Sequence, residues 1–489
     1  MSDVRIGTRA FVALLGDWRG TSVGPLYLAL FDRIRLLVLD GRITTDTRLP
    51  AERDLAQALG VSRTMVSAAY RELRDAGYTR SIRGSGSVTR LPGRAPVSGQ
   101  EATGDFIDFS KAAKPAYPGL YAATQSAMEQ YAVELGGTGI DPFGSPILRE
   151  AVAARYTERG LPTTVEQIMI TIGAQHAIFM LARTLMARGD RAVVELPSYP
   201  HAYEALRMAG ARLVPVTVAA RGSGEAPDGL HGWDAAGLAQ AFARTSPAIA
   251  YLMPDFHNPT GESMPAELRS QVLSDAARQG SLVLVDETTA ELDIDRREKY
   301  LPFAAYGDTS TADSAVLIGS VAKTVWAGLR VGWVRAAPPI IRKLAANRFA
   351  GDLGNPVLEQ LVVAELLRDF APVLALRTEQ LQSGRGELLE LLGERFPSWQ
   401  VPAVDGGLAL WANLGAPVSS QLALAARSHG LLITAGPRFG IDGAFERFMR
   451  IPIGYHSQEL ARGVTALAAA WQNVASGPVA PSELYADVV

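Results

Sequence analysis

The sequence predicts two folded parts of different class: a small helical module that ends in a β-hairpin, and a larger α/β domain built on a mostly parallel, doubly wound sheet. Three observations carry this. The chain has 489 residues, too many for one ordinary domain. Its charge is uneven: residues 1–98 hold 15 Arg, no Lys and 9 Asp or Glu, a surplus of 6, which leaves −9 for residues 99–489 out of a total of −3. The apolar pattern also changes, from steps of three and four residues to strand-like runs alternating with helical ones. Between the two lies "LPGRAPVSGQEATGD" (91–105), whose glycines, prolines and small polar residues are those of a linker.

Composition removes several classes of function. At 48% hydrophobic and 20% charged residues the chain can bury a sizeable core, and without cysteine it can have no disulfide, thiolate zinc site or cysteine nucleophile. The six histidines show no metal-ligand spacing, and no Gly-rich Walker loop is present. The first twenty residues do not make a signal peptide, and no apolar run approaches the roughly 18 residues of a membrane span. A cytoplasmic protein without membrane association is the expectation.

In the basic part, Leu26, Leu30, Ile34, Leu37 and Val38 fall on one face of a helix over Pro25–Leu39. A second helix is expected to start near Pro50 and Glu52, with Leu55, Ala58 and Leu59 as its stripe. Gly60 makes the tight turn, and Ser62 caps a third helix that turns Val66, Ala69, Tyr70 and Leu73 inward. This is a helix-turn-helix whose last helix would offer Arg63, Thr64 and Ser67 to base edges. "YTRSIRGSGSVTRL" then alternates and turns at Gly84 and Gly86, a basic hairpin in which Arg80 and Arg83 would meet phosphates.

Beyond residue 105 come "QIMITIG", "RAVVEL", "RLVPVTV", "AIAYLMP", "SLVLVDE" and "AVLIGS", each separated by helical sequence. Ligands of such folds sit at the carboxyl ends of the strands, where chemistry-bearing residues collect here. Lys323 and Arg330 stand in the otherwise small and apolar "SVAKTVWAGLRVGW", Asp286 ends "SLVLVD", and "NPTG" at Asn258–Gly261 follows another strand. These are the groups an aldehyde cofactor with a phosphate requires. A lysine forms a Schiff base, a carboxylate keeps a pyridine nitrogen protonated, and backbone amides with a cation hold the phosphate. Gly173, Ala174 and Gln175 open a helix, Ser320 and Arg330 flank the lysine, Asn258 could donate to a ring hydroxyl, and Tyr199 could stack on the ring.

Two resemblances follow from these motifs. "RLPAERDLAQALGVSRTMVSAAYRELRDAGY" with "RGSGS" resembles the winged helix-turn-helix of the GntR family of bacterial regulators over about Ser22–Thr89, which implies that Arg53, Ser62, Arg63, Thr64, Ser67, Arg83 and Gly84 contact double-stranded operator DNA. Met65 replaces a usual Thr. Residues from about Phe106 to Ala475 resemble fold type I pyridoxal phosphate enzymes of the aspartate aminotransferase kind, with a large α/β domain and a smaller α+β C-terminal subdomain. That resemblance implies pyridoxal 5′-phosphate as cofactor, Lys323 as its catalytic amine, and Asp286, Asn258, Tyr199, Gly173, Ala174, Gln175, Ser320 and Arg330 as its contacts. It also implies Arg450, in "FMRIPIGY", as the partner of an effector carboxylate. Thr288 stands where a Tyr is usual, His201 where some relatives have an Arg, and Ala409 where a polar residue is frequent.

The combination resembles the MocR/GabR-type regulators. It implies domains at 1–90 (DNA-binding), 91–105 (linker) and 106–476 (effector), with a tail at 477–489. It further implies a head-to-tail homodimer and a regulator that senses pyridoxal phosphate or an amino compound condensing with it. A working aminotransferase with an accessory DNA-binding module, and a regulator that has lost the cofactor, are the alternatives.

Overall fold

The computed structural model describes residues 4–16, 18, 25–39, 43, 47–82, 86–89, 106–221, 231–441 and 444–475. Arg83 and Gly84 of the hairpin tip, the 91–105 linker and the 477–489 tail lie outside the described residues. The chain divides into two compact units: Met1–Phe109 with Leu414–Met449 and Arg462–Val489, and Ser110–Asn413 with Arg450–Ala461.

In the first unit, helices Thr8–Leu15, Leu26–Leu39, Glu52–Leu59 and Arg63–Asp75 enclose a core of Phe11, Leu15, Leu30, Ile34, Leu37, Leu55, Val66, Tyr70 and Leu73. The turn between the last two helices forms as its sequence dictates. Gly60 takes φ +64° at the end of one helix, and the Ser62 hydroxyl accepts the Met65 amide at 3.2 Å at the start of the next. All four inward residues expected on the helix Arg63–Asp75 are buried, and the Tyr70 hydroxyl donates to the Pro50 carbonyl at 2.9 Å. Two expectations need correction. Leu26 is 49% exposed because it opens its helix before the packed face begins, and Ala56 rather than Ala58 joins Leu55 in the core. Strands β1 (Val4–Arg5), β2 (Thr47–Arg48), β3 (Thr79–Ile82) and β4 (Gly86–Thr89) form one sheet in the order β1-β2-β4-β3. β3 and β4 are the antiparallel arms of the expected wing. β5 (Ile107–Asp108) pairs in parallel with Leu431–Leu432. Also within this unit, Arg33 reaches Glu446 at 3.4 Å, and Glu446 in turn accepts from Ser419 and Ser420.

The second unit is built on an eight-stranded sheet. Its strands are β6 (Ile168–Thr171), β7 (Arg191–Leu196), β8 (Arg212–Ala219), β9 (Gly232–Trp233), β10 (Ile249–Leu252), β11 (Leu282–Asp286), β12 (Ala315–Ser320) and β13 (Gly332–Arg335), in the order β6-β13-β12-β11-β10-β7-β8-β9. The five strands β8, β7, β10, β11 and β12 run parallel. β6, β10 and β12 are buried along their whole length, the mark of a sheet covered on both faces. β13 is antiparallel to both neighbours and was absent from the sequence expectation. Its insertion sets Gly332 against Gly173: a Cβ at 332 would stand 2.8 Å from the Gly173 carbonyl carbon and 2.9 Å from the Ala174 nitrogen. Among the described residues no helix is long and apolar enough to cross a membrane.

Candidate functional site

The carboxyl ends of β6, β7, β10, β11 and β12 deliver the expected residues in turn. Asp286 closes β11 and is buried. Burial pushes its carboxyl above the ordinary range, while the Tyr251 hydroxyl, donating at 2.7 Å, and the Thr288 amide, at 3.0 Å, pull the other way. No ammonium or guanidinium is hydrogen bonded to it. A desolvated carboxylate of this kind suits a protonated ring nitrogen, and this is the first sign that the residues fit the expected cofactor.

Lys323 lies in the turn after β12. Its ammonium donates to the Ala112 carbonyl at 2.8 Å, and its pKa is lowered to about 8, by burial first and then by the positive charge of Arg450, with Asp286 opposing. Such an amine is deprotonated far more often than a surface lysine, which is what nucleophilic attack on a carbonyl requires. Arg377 holds the same turn. It donates to the carbonyls of Thr324 at 2.6 Å, Val325 at 2.9 Å and Pro115 at 2.9 Å.

The phosphate cradle is formed by backbone. Gly173, at φ +81°, caps the helix Ala174–Leu185, whose first amides have no partner within the helix. Arg330, itself at φ +52°, donates to the Ile172 carbonyl at 3.1 Å, and its guanidinium would stand 2.9 Å from a Cβ at 173. Only glycine fits there, on both counts. Ser320 donates to the Val331 carbonyl at 3.0 Å and accepts the Ala322 amide. Gln175 donates to the His201 carbonyl, leaving its buried Oε1 without a hydrogen-bond partner. Helix amides, a guanidinium and a hydroxyl make a donor set suited to a phosphate, the second sign of fit.

Tyr199 is half-buried beside this cradle, its phenol pushed up to about 12 by burial and then by the Asp286 charge. Asn258 Oδ1 lies 3.5 Å from Arg450 Nη1, and Arg450, on the strand Phe448–Pro452, also donates to the Ser110 carbonyl at 2.7 Å. Burial lowers the Arg450 pKa to about 10. His201 pairs with Glu204 at 2.9 Å, Thr288 gives Asp286 its backbone amide, and Ala409 is buried. Sequence reading missed Tyr251, Arg377 and the carbonyls of residues 110–115. Tyr251 alone left a signal, as the one hydroxyl in the apolar strand "IAYL".

On the helix-turn-helix, Arg53, Arg63 and Thr64 are exposed and Ser67 is half-buried. Arg63 lies 3.9 Å from Glu52 with its side chain 74% exposed, so it keeps the freedom to reach a ligand. Met65 packs against the core, and its amide is taken by the Ser62 cap.

Comparison with known proteins agrees with this division. Residues 121–467 match the family Aminotransferase class I and II, and residues 26–88 match Bacterial regulatory proteins, gntR family. An uncharacterized HTH-type transcriptional regulator of Bacillus subtilis, YdfD, is 24% identical over 92% of this chain and 97% of its own length. The probable rhizopine catabolism regulatory protein MocR of Rhizobium meliloti is 28% identical over 80% of this chain and 82% of its own. The α-aminoadipate aminotransferase LysN of Thermus thermophilus shares the fold of the second unit, with a TM-score of 0.68 at 24% identity over 76% of this chain and 93% of that one. The chain thus belongs to the class I and II aminotransferase family and joins that fold to a gntR-type helix-turn-helix, the architecture of the MocR/GabR-type regulators.

Proposed function

We propose that this chain is a cytoplasmic transcription regulator that binds operator DNA through its winged helix and holds pyridoxal 5′-phosphate in its aminotransferase-like part, where it senses the cofactor or an amino compound. The observation that carries this reading is the pairing, in one chain, of an exposed Arg63 at the start of a reading helix with a buried, pKa-lowered Lys323 among Asp286, Arg330 and the Gly173 cradle.

When bound, pyridoxal phosphate supplies an aldehyde and an electron-withdrawing ring. The amides after Gly173, the Ser320 hydroxyl and Arg330 hold its phosphate. Asp286, braced by Tyr251, keeps a proton on the ring nitrogen, Tyr199 covers the ring, and Asn258 donates to its hydroxyl. Lys323 is the amine for the aldehyde. Arg450 orients an effector carboxylate with a planar fork suited to two parallel hydrogen bonds. On the DNA side, Arg63, Thr64 and Ser67 read bases, while Arg53 and the wing, with Arg83 and Gly84, position the module on phosphates. We further propose a head-to-tail dimer, and domain limits near 90, 105 and 476.

The test is fluorescence anisotropy on operator fragments selected from genomic DNA, with the full chain, with and without pyridoxal phosphate and candidate amines. The expected result is specific binding that changes when the cofactor or an amine is added. Specific binding indifferent to every addition, or sustained turnover with an amino donor and an oxo-acid acceptor, would turn the reading toward one of the alternatives.

A further inference from the structure

We infer that the ligand of the lysine site carries a second anionic group besides the carboxylate on Arg450, and that Lys114 is the cation that receives it. The inference rests on the reading of the site given above. The segment 110–115 rims that site at three points: the Ser110 carbonyl accepts from Arg450, the Ala112 carbonyl from Lys323, and the Pro115 carbonyl from Arg377. Lys114 belongs to this rim and is only 8% exposed. Its shaft lies along Gly454, four residues beyond Arg450, where a Cβ would stand 3.1 Å from Lys114 Cε and 3.5 Å from Nζ. Any other residue at 454 would crowd the lysine. Tyr455 fastens the segment, donating to the Lys111 carbonyl at 2.9 Å.

The Lys114 ammonium makes no hydrogen bond or ion pair among the described residues, and the charge acting on it is that of a second cation, Arg377. Burial and then Arg377 lower its pKa to about 8, so at neutral pH it is still mostly charged. A buried cation without a counter-charge is costly, and the cost is removed when a ligand brings the anion. The other cation-bearing candidate for such a role, His201, already faces Glu204. The class of ligand is therefore an amino acid with an acidic side chain, its α-carboxylate on Arg450 and its distal carboxylate or phosphate at Lys114. If Lys114 served only as an aliphatic filler against Gly454, a neutral side chain of the same length would leave ligand preference unchanged.

The experiment is calorimetric titration of the full chain loaded with pyridoxal phosphate, using three matched pairs: L-glutamate and L-glutamine, L-aspartate and L-asparagine, O-phospho-L-serine and L-serine. In the wild type at least one acid should bind about tenfold or more tighter than its neutral mate, the share of one charge-assisted hydrogen bond. The pair that separates tells carboxylate from phosphate. Lys114→Met should bring that pair within about twofold by weakening the acid alone, and Lys114→Arg should keep most of the preference, since both retain the length of the side chain and only one retains its charge. A wild type that favours no acid, or binds none of the six, overturns the inference, as does a Lys114→Met protein that keeps the preference. If Lys114→Met fails to fold, the wild-type preference and its retention in Lys114→Arg still decide. A wild type that takes up no pyridoxal phosphate sinks the underlying reading instead, and this inference with it.

Discussion

Replacing Lys323 by Met should stabilise the cofactor-free protein at neutral pH, even though it removes the residue on which the site depends. In the folded chain the Lys323 pKa is about 8 against an ordinary 10.5, with burial as the first cause. At ~1.4 kcal/mol per pH unit, holding the protonated lysine in place costs ~3 kcal/mol at pH 7. Met loses the hydrogen bond to Ala112, about 1 kcal/mol. The net gain is therefore ~2 kcal/mol. The sign in pH follows from the folded pKa lying below the unfolded one. The wild type has its full stability above pH 10.5 and loses it as pH falls toward 8, so the advantage of the variant should be largest at pH 7 and vanish near pH 10.5. Urea denaturation of both cofactor-free proteins at pH 7, 9 and 10.5 measures it, read on the transition of the aminotransferase-like unit. A variant less stable than the wild type by the same amount at all three values would refute the reasoning. It would mean that the Ala112 bond outweighs burial of the charge.

Three further outcomes are expected. Tyr251→Phe removes one of the two hydrogen bonds that Asp286 accepts in a buried setting, and should weaken pyridoxal phosphate binding by ~1.5–3 kcal/mol, read by equilibrium titration of the visible absorbance. Gly173→Ala puts a side chain 2.9 Å from the Arg330 guanidinium at a positive φ, so phosphate-bearing ligands should be lost while DNA binding in their absence remains, by paired calorimetry and anisotropy. Arg63→Ala should cost about 1–3 kcal/mol on the specific operator and relax its sequence preference, whereas Arg53→Ala should weaken all DNA sequences alike, by anisotropy over a salt series.

The helix-turn-helix was legible because its signals are local. Gly60 and Ser62 are adjacent to the turn they make, and the apolar face of Arg63–Asp75 repeats within four turns. The helix Thr8–Leu15 escaped because it spans about two turns and its Gly7 cap offers no side chain. The α/β domain was legible from its strands, since β6, β10, β11 and β12 are short apolar runs with a functional residue just past each end. β13 was hidden inside the lysine motif, where glycine and the arginines masked a four-residue strand. Within the site, the cofactor-facing side chains fell at motif positions, but their braces did not. Tyr251 meets Asp286 across 35 residues, and Arg377 meets Pro115 across 262, and only the fold brings such partners together.

The Arg377 clasp has a consequence for how this chain can change over evolutionary time. Each of its contacts to Thr324, Val325 and Pro115 is to a main-chain carbonyl, so the hold on the lysine turn does not depend on which side chains the turn carries. Residues such as the exposed Trp326 are free to vary, and a lineage can alter what its site admits by drifting there without loosening Lys323. The arginine is bound far more tightly to its identity. A lysine at 377 would present a single ammonium where a planar fork spans three acceptors, so tolerance in the turn is concentrated as intolerance at one position more than fifty residues away.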